Sequence, residues 1–217
     1  FGGINQVGCA NSRVLYVLTN GGKVDQEAIN AFGEGVYAEM RGLPEHLSTH
    51  PKSYSQELKA EVEAVRLQDD FYKVIGGDQG EGCVIVSQLA DPVEFIPKLA
   101  DRTINIVPLD TLEEILRRID AYTQTVGVWP EALKGRLLNA AALHGAQRIV
   151  ALGHALHSPP WFPHDSLELT RRLCKWINNE VSEPLADPTF AADRAANGAK
   201  PNQSPHPFTV EALKNYS

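Results

Sequence analysis

Cys83-Val84-Ile85-Val86-Ser87 decides the fold class: it is strand-sized, rich in β-branched side chains, and has no polar residue alternating into it. A strand with one face in water alternates apolar and polar residues, whereas a strand covered on both faces does not. Val14–Leu18, Thr103–Val107, Thr125–Trp129 and Arg148–Leu152 read the same way, most of them continuously apolar. Such runs separated by helical periodicity predict an α/β fold, three layers (αβα) around a mainly parallel sheet, with five strands and about five helices.

The helices are marked by their ends. After a turn at Asn20-Gly21-Gly22, Asp25 caps a helix whose stripe Ala28, Ile29, Phe32, Val36 and Met40 runs to Gly42 and Pro44. A second helix is expected over about Ser55–Tyr72. Asp110 with Glu113 forms a capping-box pattern ahead of Leu112, Ile115, Leu116 and Ile119. Pro130 takes a first-turn position before Ala132–Leu143, which stops at Gly145. An irregular loop carries His154, His157, Trp161, Phe162 and His164, and a last helix is capped by Asp165 with Glu168, its stripe being Leu169, Leu173, Trp176 and Ile177. From Ser182 the composition turns to Pro, Ala, Asn and Asp, so residues 1–181 are expected as one domain and 182–217 as an extended arm or tail.

The 217 residues carry 20 basic and 27 acidic side chains, a formal charge of −7, and the basic ones do not cluster. That composition argues against sequence-independent binding to nucleic acid or an anionic membrane surface. No apolar run reaches the roughly 18–20 residues of a spanning helix. Three cysteines (Cys9, Cys83, Cys174) without paired short spacings fit neither a disulfide framework nor a zinc site, and point to a reducing, cytoplasmic setting. His154, His157 and His164 with Asp165 match no metal-ligand spacing, so no metal is expected.

Chemistry concentrates near the start, in Asn5-Gln6-Val7-Gly8-Cys9-Ala10-Asn11-Ser12-Arg13 ahead of the strand Val14–Leu18. A cysteine in a glycine-containing turn meets free backbone N–H groups, which lower a thiol's pKa and stabilise an oxyanion. From the residues alone Cys9 is either such a nucleophile or a small buried hydrophobe. Cys83 and Cys174 read as packing residues, and the run Gly76–Gly82 precedes a strand rather than a helix, so it reads as a flexible loop and not as a dinucleotide fingerprint.

The Gln-x-x-Cys-Ala-x-Ser-Arg run resembles the nucleophile segment of the aldehyde dehydrogenase superfamily. Gly80–Ser87, Asp101–Pro108, Thr125–Trp129, Gly145–Val150 and Pro163-His164-Asp165 are similar to its fatty acyl-CoA reductase branch, the type found in bacterial luminescence operons. The resemblance covers most of residues 1–180. It implies the catalytic-domain fold of that superfamily and a nicotinamide-dependent reduction of a long-chain acyl thioester to an aldehyde, with Cys9 forming the acyl-enzyme. NADPH or NADH would be bound mainly by a nucleotide-binding half that precedes the cysteine in the superfamily. On that expectation the chain begins mid-protein and does not turn over alone. His164 is expected to bind or transfer a proton at the mouth of the site. No cofactor contact is assigned to Asp101 or Arg102, and Trp129, Trp161 and Phe162 line an acyl channel or pack internally. The substrate is acyl-CoA or an acyl-protein thioester, and the implied partners are further copies of the chain and an acyl-transferring protein.

Arg13 stands one position closer to Cys9 than the family pattern sets it, so an ungapped match places Gly8 at the nucleophile position, whereas matching on Val17 restores Cys9. Two alternatives therefore stay open: a CoA-independent aldehyde dehydrogenase, and a non-catalytic oligomerisation domain of the same fold in which Gly8 replaces the nucleophile.

Overall fold

Asn105 and its neighbours on β4 (Ile104–Leu109) are buried at every position, as are those of β3 (Cys83–Ser87), which is why both runs lack alternation. The computed structural model describes residues 6, 8, 11–19, 21, 25–49, 54–157, 159, 161–163, 165, 167–175 and 177. Along them run β1 (Val14–Leu18), α1 (Gln26–Arg41), α2 (Gln56–Arg66), β2 (Tyr72–Gly76), β3, β4, α3 (Leu112–Arg117), β5 (Thr125–Val128), α4 (Leu133–His144), β6 (Arg148–Ala151) and α5 (Leu169–Leu173). The first unit, Phe1–Leu173, holds all of these elements, and of the second, Cys174–Ser217, only Cys174, Lys175 and Ile177 are described. The expected arm over 182–217 lies outside the described residues.

A four-stranded sheet is ordered β1-β4-β3-β2, with β1, β4 and β3 parallel and β2 antiparallel to β3. The two helices that follow β1 cover opposite faces. Leu58, Val62 and Val65 of α2 pack with Cys83 and Ile85, whereas Ile29 of α1 packs with Val84, Val86, Ile104 and Ile106. The period of two along β3 sends alternate side chains to the two helices, and the fold is α/β with mostly parallel strands in layers.

The sheet differs from the expected one in two respects. The helix from Ser55 stops at Arg66, and Tyr72–Gly76 is a sixth strand. Asp69 and Asp70 sit in a turn that breaks the helix, and the glycine-rich run 76–82 then closes a hairpin, with Gly76, Gly77, Gly80 and Gly82 all at positive φ. Secondly, β5 and β6 pair in parallel as a separate two-stranded sheet.

Helix ends follow the predicted logic with local shifts. Asp25 caps α1 by accepting from the Ala28 N–H (3.1 Å), and Gly145 ends α4 at φ 114°, where a Cβ would lie 2.7 Å from Ala121 N. The buried stripe of α1 runs through Ile29, Gly33 and Met40, and Phe32 is exposed. In α3 the capping box is Thr111 with Glu114, not Asp110 with Glu113, because Thr111 has the extended backbone that an N-cap needs. Only Ile119 of the expected Leu112–Ile119 stripe is buried. α4 begins after Ala132, three residues beyond the expected proline start. Asp165 is not the cap of α5: it has φ 48°, accepts a hydrogen bond from Gln124, and lies too far ahead of Leu169. α5 is little more than one turn, and Leu173 and Ile177 of its expected core stripe are exposed, as is Cys174. So short a helix has little apolar area to bury. No described helix is long and apolar enough to cross a membrane.

Candidate functional site

Parallel pairing of β1 with β4, Val14 opposite Asn105, brings the entrance of β1 beside the entrance of β4. The cysteine-bearing segment leads into the first of these and the Asp101-Arg102-Thr103 turn into the second. Cys9 itself, and His164, lie outside the described residues. What the structure describes is the frame on either side of Cys9: Gln6, Gly8 and Asn11–Arg13.

Gln6 is the centre of that frame. Its Oε1 accepts from the Thr103 N–H (2.7 Å), and its Nε2 donates to the Thr103 carbonyl (2.9 Å) and to the Ser12 carbonyl (2.9 Å). The Thr103 N–H is shared with the Ala100 carbonyl at 2.9 Å. Two positions beyond Thr103 the main chain takes over, with the Asn105 N–H donating to the Arg13 carbonyl at 3.0 Å. The carboxamide thus stands where a strand residue would continue the ladder. Within the segment the Asn11 N–H donates to the Gly8 carbonyl at 3.2 Å.

Thr103 is fully buried, and three elements converge on it. Its Oγ1 lies 3.1 Å from the Tyr54 hydroxyl ahead of α2 and 3.9 Å from Cys83 Sγ at the start of β3. Burial pushes the Tyr54 hydroxyl well above its usual range and the Cys83 thiol up to about 12. Cys83 is therefore a protonated packing residue, as expected. Ahead of Thr103, Asp101 (φ 51°) and Arg102 (φ 66°) are both left-handed. Asp101 Oδ2 accepts from the Ser55 N–H (3.2 Å), and Arg102 Nη2 donates to the Met40 carbonyl (2.8 Å). Gly82 permits this turn, since a Cβ there would lie 2.5 Å from the Arg102 carbonyl oxygen.

The remaining candidates lie elsewhere. Trp129, Trp161 and Phe162 are exposed, which excludes internal packing for them. His154 and His157 meet edge-on with ring nitrogens 3.4 Å apart, in a loop shaped by Arg148, which donates to the Ala155 and His157 carbonyls. Among the described residues no cluster of three or more His, Cys, Asp or Glu is arranged to hold a metal. The Gly76–Gly82 run turns between antiparallel strands, so its amides do not crown a helix N-terminus as a dinucleotide cradle requires. A cleft of about 320 Å³ lined by Gln26, Gln88, Pro108, Asp110 and Glu114 lies at the opposite, C-terminal ends of β3 and β4.

Sequence reading singled out Gln6 only as part of a motif and missed Thr103 and Tyr54. Tyr54 has no local signal, because its contact to Thr103 spans 49 positions. In comparison with known proteins, the model of the acyl-CoA reductase (LuxC) family matches residues 4–176, and no curated protein matches the chain.

Proposed function

The chain belongs to the acyl-CoA reductase (LuxC) family, and from that premise we propose that Cys9 is the nucleophile of a long-chain acyl thioester reduction. The observation that carries this reading is that the family match begins ahead of Gln6 and takes in the whole cysteine segment. The Cys9 thiolate adds to the thioester carbonyl carbon, the bond from that carbon to the CoA sulfur breaks, and CoA leaves as its thiolate. Reduction of the resulting acyl-enzyme to aldehyde needs a hydride, which resemblance to the aldehyde dehydrogenase superfamily assigns to NADPH or NADH. The glycine-rich run turns between antiparallel strands, so the reading does not place the pyrophosphate of such a nucleotide there. Residues 1–181 form the catalytic part and 182–217 an arm, and His164 is the polar group at the mouth of the site.

The test is acylation. The protein is incubated with a long-chain acyl-CoA at neutral pH, trapped with acid and mapped by mass spectrometry, with Cys9→Ala as control. An adduct on Cys9 that disappears in the variant supports the reading. No adduct on Cys9 overturns it.

A further inference from the structure

We propose that Gln6 is a positioning residue: its carboxamide ties Gln6 to Ser12, on the other side of Cys9 in the sequence, and bolts both to Thr103 at the entrance of β4. The functional weight of the bolt rests on Cys9 being the nucleophile, but the bolt itself does not.

Three observations carry it. Firstly, one side chain makes three hydrogen bonds that serve two different jobs. The bond to Ser12 ties the two flanks of Cys9 together, and the pair to Thr103 ties both to the sheet. Secondly, the anchor is rigid, because Thr103 is fully buried and held by Ala100 through its N–H and by Tyr54 through its hydroxyl. A buried carbonyl and N–H need partners, so the sheet gains from keeping Gln6 in place. Thirdly, strain gathers here: Gln6 (φ 60°), Asp101 and Arg102 are three of the four non-glycine residues with positive φ among those described. Such conformations persist only where the surroundings over-determine them, and they concentrate at functional sites. A side chain that merely filled the sheet edge would need the Thr103 bonds alone. The additional bond to Ser12 couples both flanks to the sheet, which is what a reactive side chain between them requires.

The experiment measures Cys9 alkylation by iodoacetamide, residue by residue by mass spectrometry, between about pH 6 and pH 10. The full chain is compared with Gln6→Ala, Gln6→Glu and a core control, Val62→Ala in α2, each with its melting temperature. Gln6→Glu keeps an acceptor for the Thr103 N–H but turns oxygen against the Ser12 and Thr103 carbonyls. Both Gln6 variants are expected to change the Cys9 rate at neutral pH by about tenfold and to move its pH profile. Val62→Ala is expected to lower the melting temperature and leave the Cys9 profile where it was. Should a Gln6 variant not fold, Gln6→Asn, with the same carboxamide on a shorter stem, carries the comparison. Cys9 profiles in the Gln6 variants that superimpose on the unmodified protein overturn the proposal. Acyl-CoA labelling in parallel separates the two readings, because a profile that depends on Gln6 without any acyl adduct keeps the bolt and removes the nucleophile.

Discussion

Arg102 lies across the end of α1 and donates from Nη2 to the Met40 carbonyl at 2.8 Å, so a strained turn at the entrance of β4 also caps a helix on the sheet's face. Only 6% of Arg102 is exposed, and burial lowers its pKa, although a guanidinium stays charged in proteins. The negative end of the α1 dipole is where such a cation is best tolerated.

Replacing Arg102 by Ala removes a charged donor and its packing while keeping a side chain at φ 66°. The expected loss is about 2–3 kcal/mol in urea unfolding. Arg102→Gly loses the same bond but relaxes the backbone, so it should be milder by about 1 kcal/mol. Equal losses for the two variants would remove strain from the account.

Two glycines of α1 should respond in opposite directions. A Cβ on Gly33 would lie 2.6 Å from Val86 Cγ2 and 3.0 Å from Ile75 Cδ1, whereas one on Gly35 meets nothing within 4 Å. Gly35→Ala should stabilise by about 0.5–1 kcal/mol through helix propensity. Gly33→Ala should destabilise by about 1–2 kcal/mol, because overpacking against a β-branched side chain outweighs the propensity gain. Paired denaturant titrations check the sign of each.

Asn105 is the buried polar hub between β3 and β4. Its Oδ1 accepts from the Val93 N–H (3.0 Å), and its Nδ2 donates to the Ile85 carbonyl (3.0 Å) and to Ser87 Oγ (3.1 Å). Asn105→Leu fills the volume but strands these groups, at a cost of about 2–4 kcal/mol. A variant as stable as the parent would mean the segment around Val93 finds other partners.

Glu81 gives a pH signature. Burial alone would raise its pKa, but hydrogen bonds from its own N–H, the Tyr37 hydroxyl (2.8 Å) and the Gly77 and Gln79 N–H groups hold it below the usual carboxylate range. A depressed folded-state pKa stabilises above the unfolded value, and that stabilisation is lost as pH falls through the folded one. The stability gap between the parent and Glu81→Gln should therefore be full at about pH 7 and narrow toward about pH 3. A gap that widens on acidification contradicts the assignment.

Cys83 and Cys174 separate by accessibility. With its thiol buried and pushed up to about 12, Cys83 should resist iodoacetamide until the protein unfolds, whereas the exposed Cys174 should label in the native state. Native labelling of Cys83 would show that the β3 core opens at equilibrium.

Much of this was legible locally. Val14–Leu18 and Cys83–Ser87 have their predicted bounds, the cap at Asp25 is set by a side chain within a turn of the N–H it serves, and Gly145 ends α4 through its own left-handed backbone. β2 was missed because Tyr72–Gly76 is a short run, and only pairing with β3 makes it a strand. Phe32 and Gly33 exchange roles because side-chain size, not hydrophobicity, decides which of two neighbours faces a sheet at close approach.

The sequence by itself determined the layer type, the Asp25 cap, the Gly145 stop and the family motif at Gln6–Arg13, since each depends on residue chemistry and short spacing. Tertiary structure alone decided that Gln6 meets Thr103, 97 positions away, and that Tyr54 meets Thr103 from another element. No local pattern encodes such a pairing. It follows from the parallel register of β1 on β4, which is fixed by burying both faces of the sheet at once.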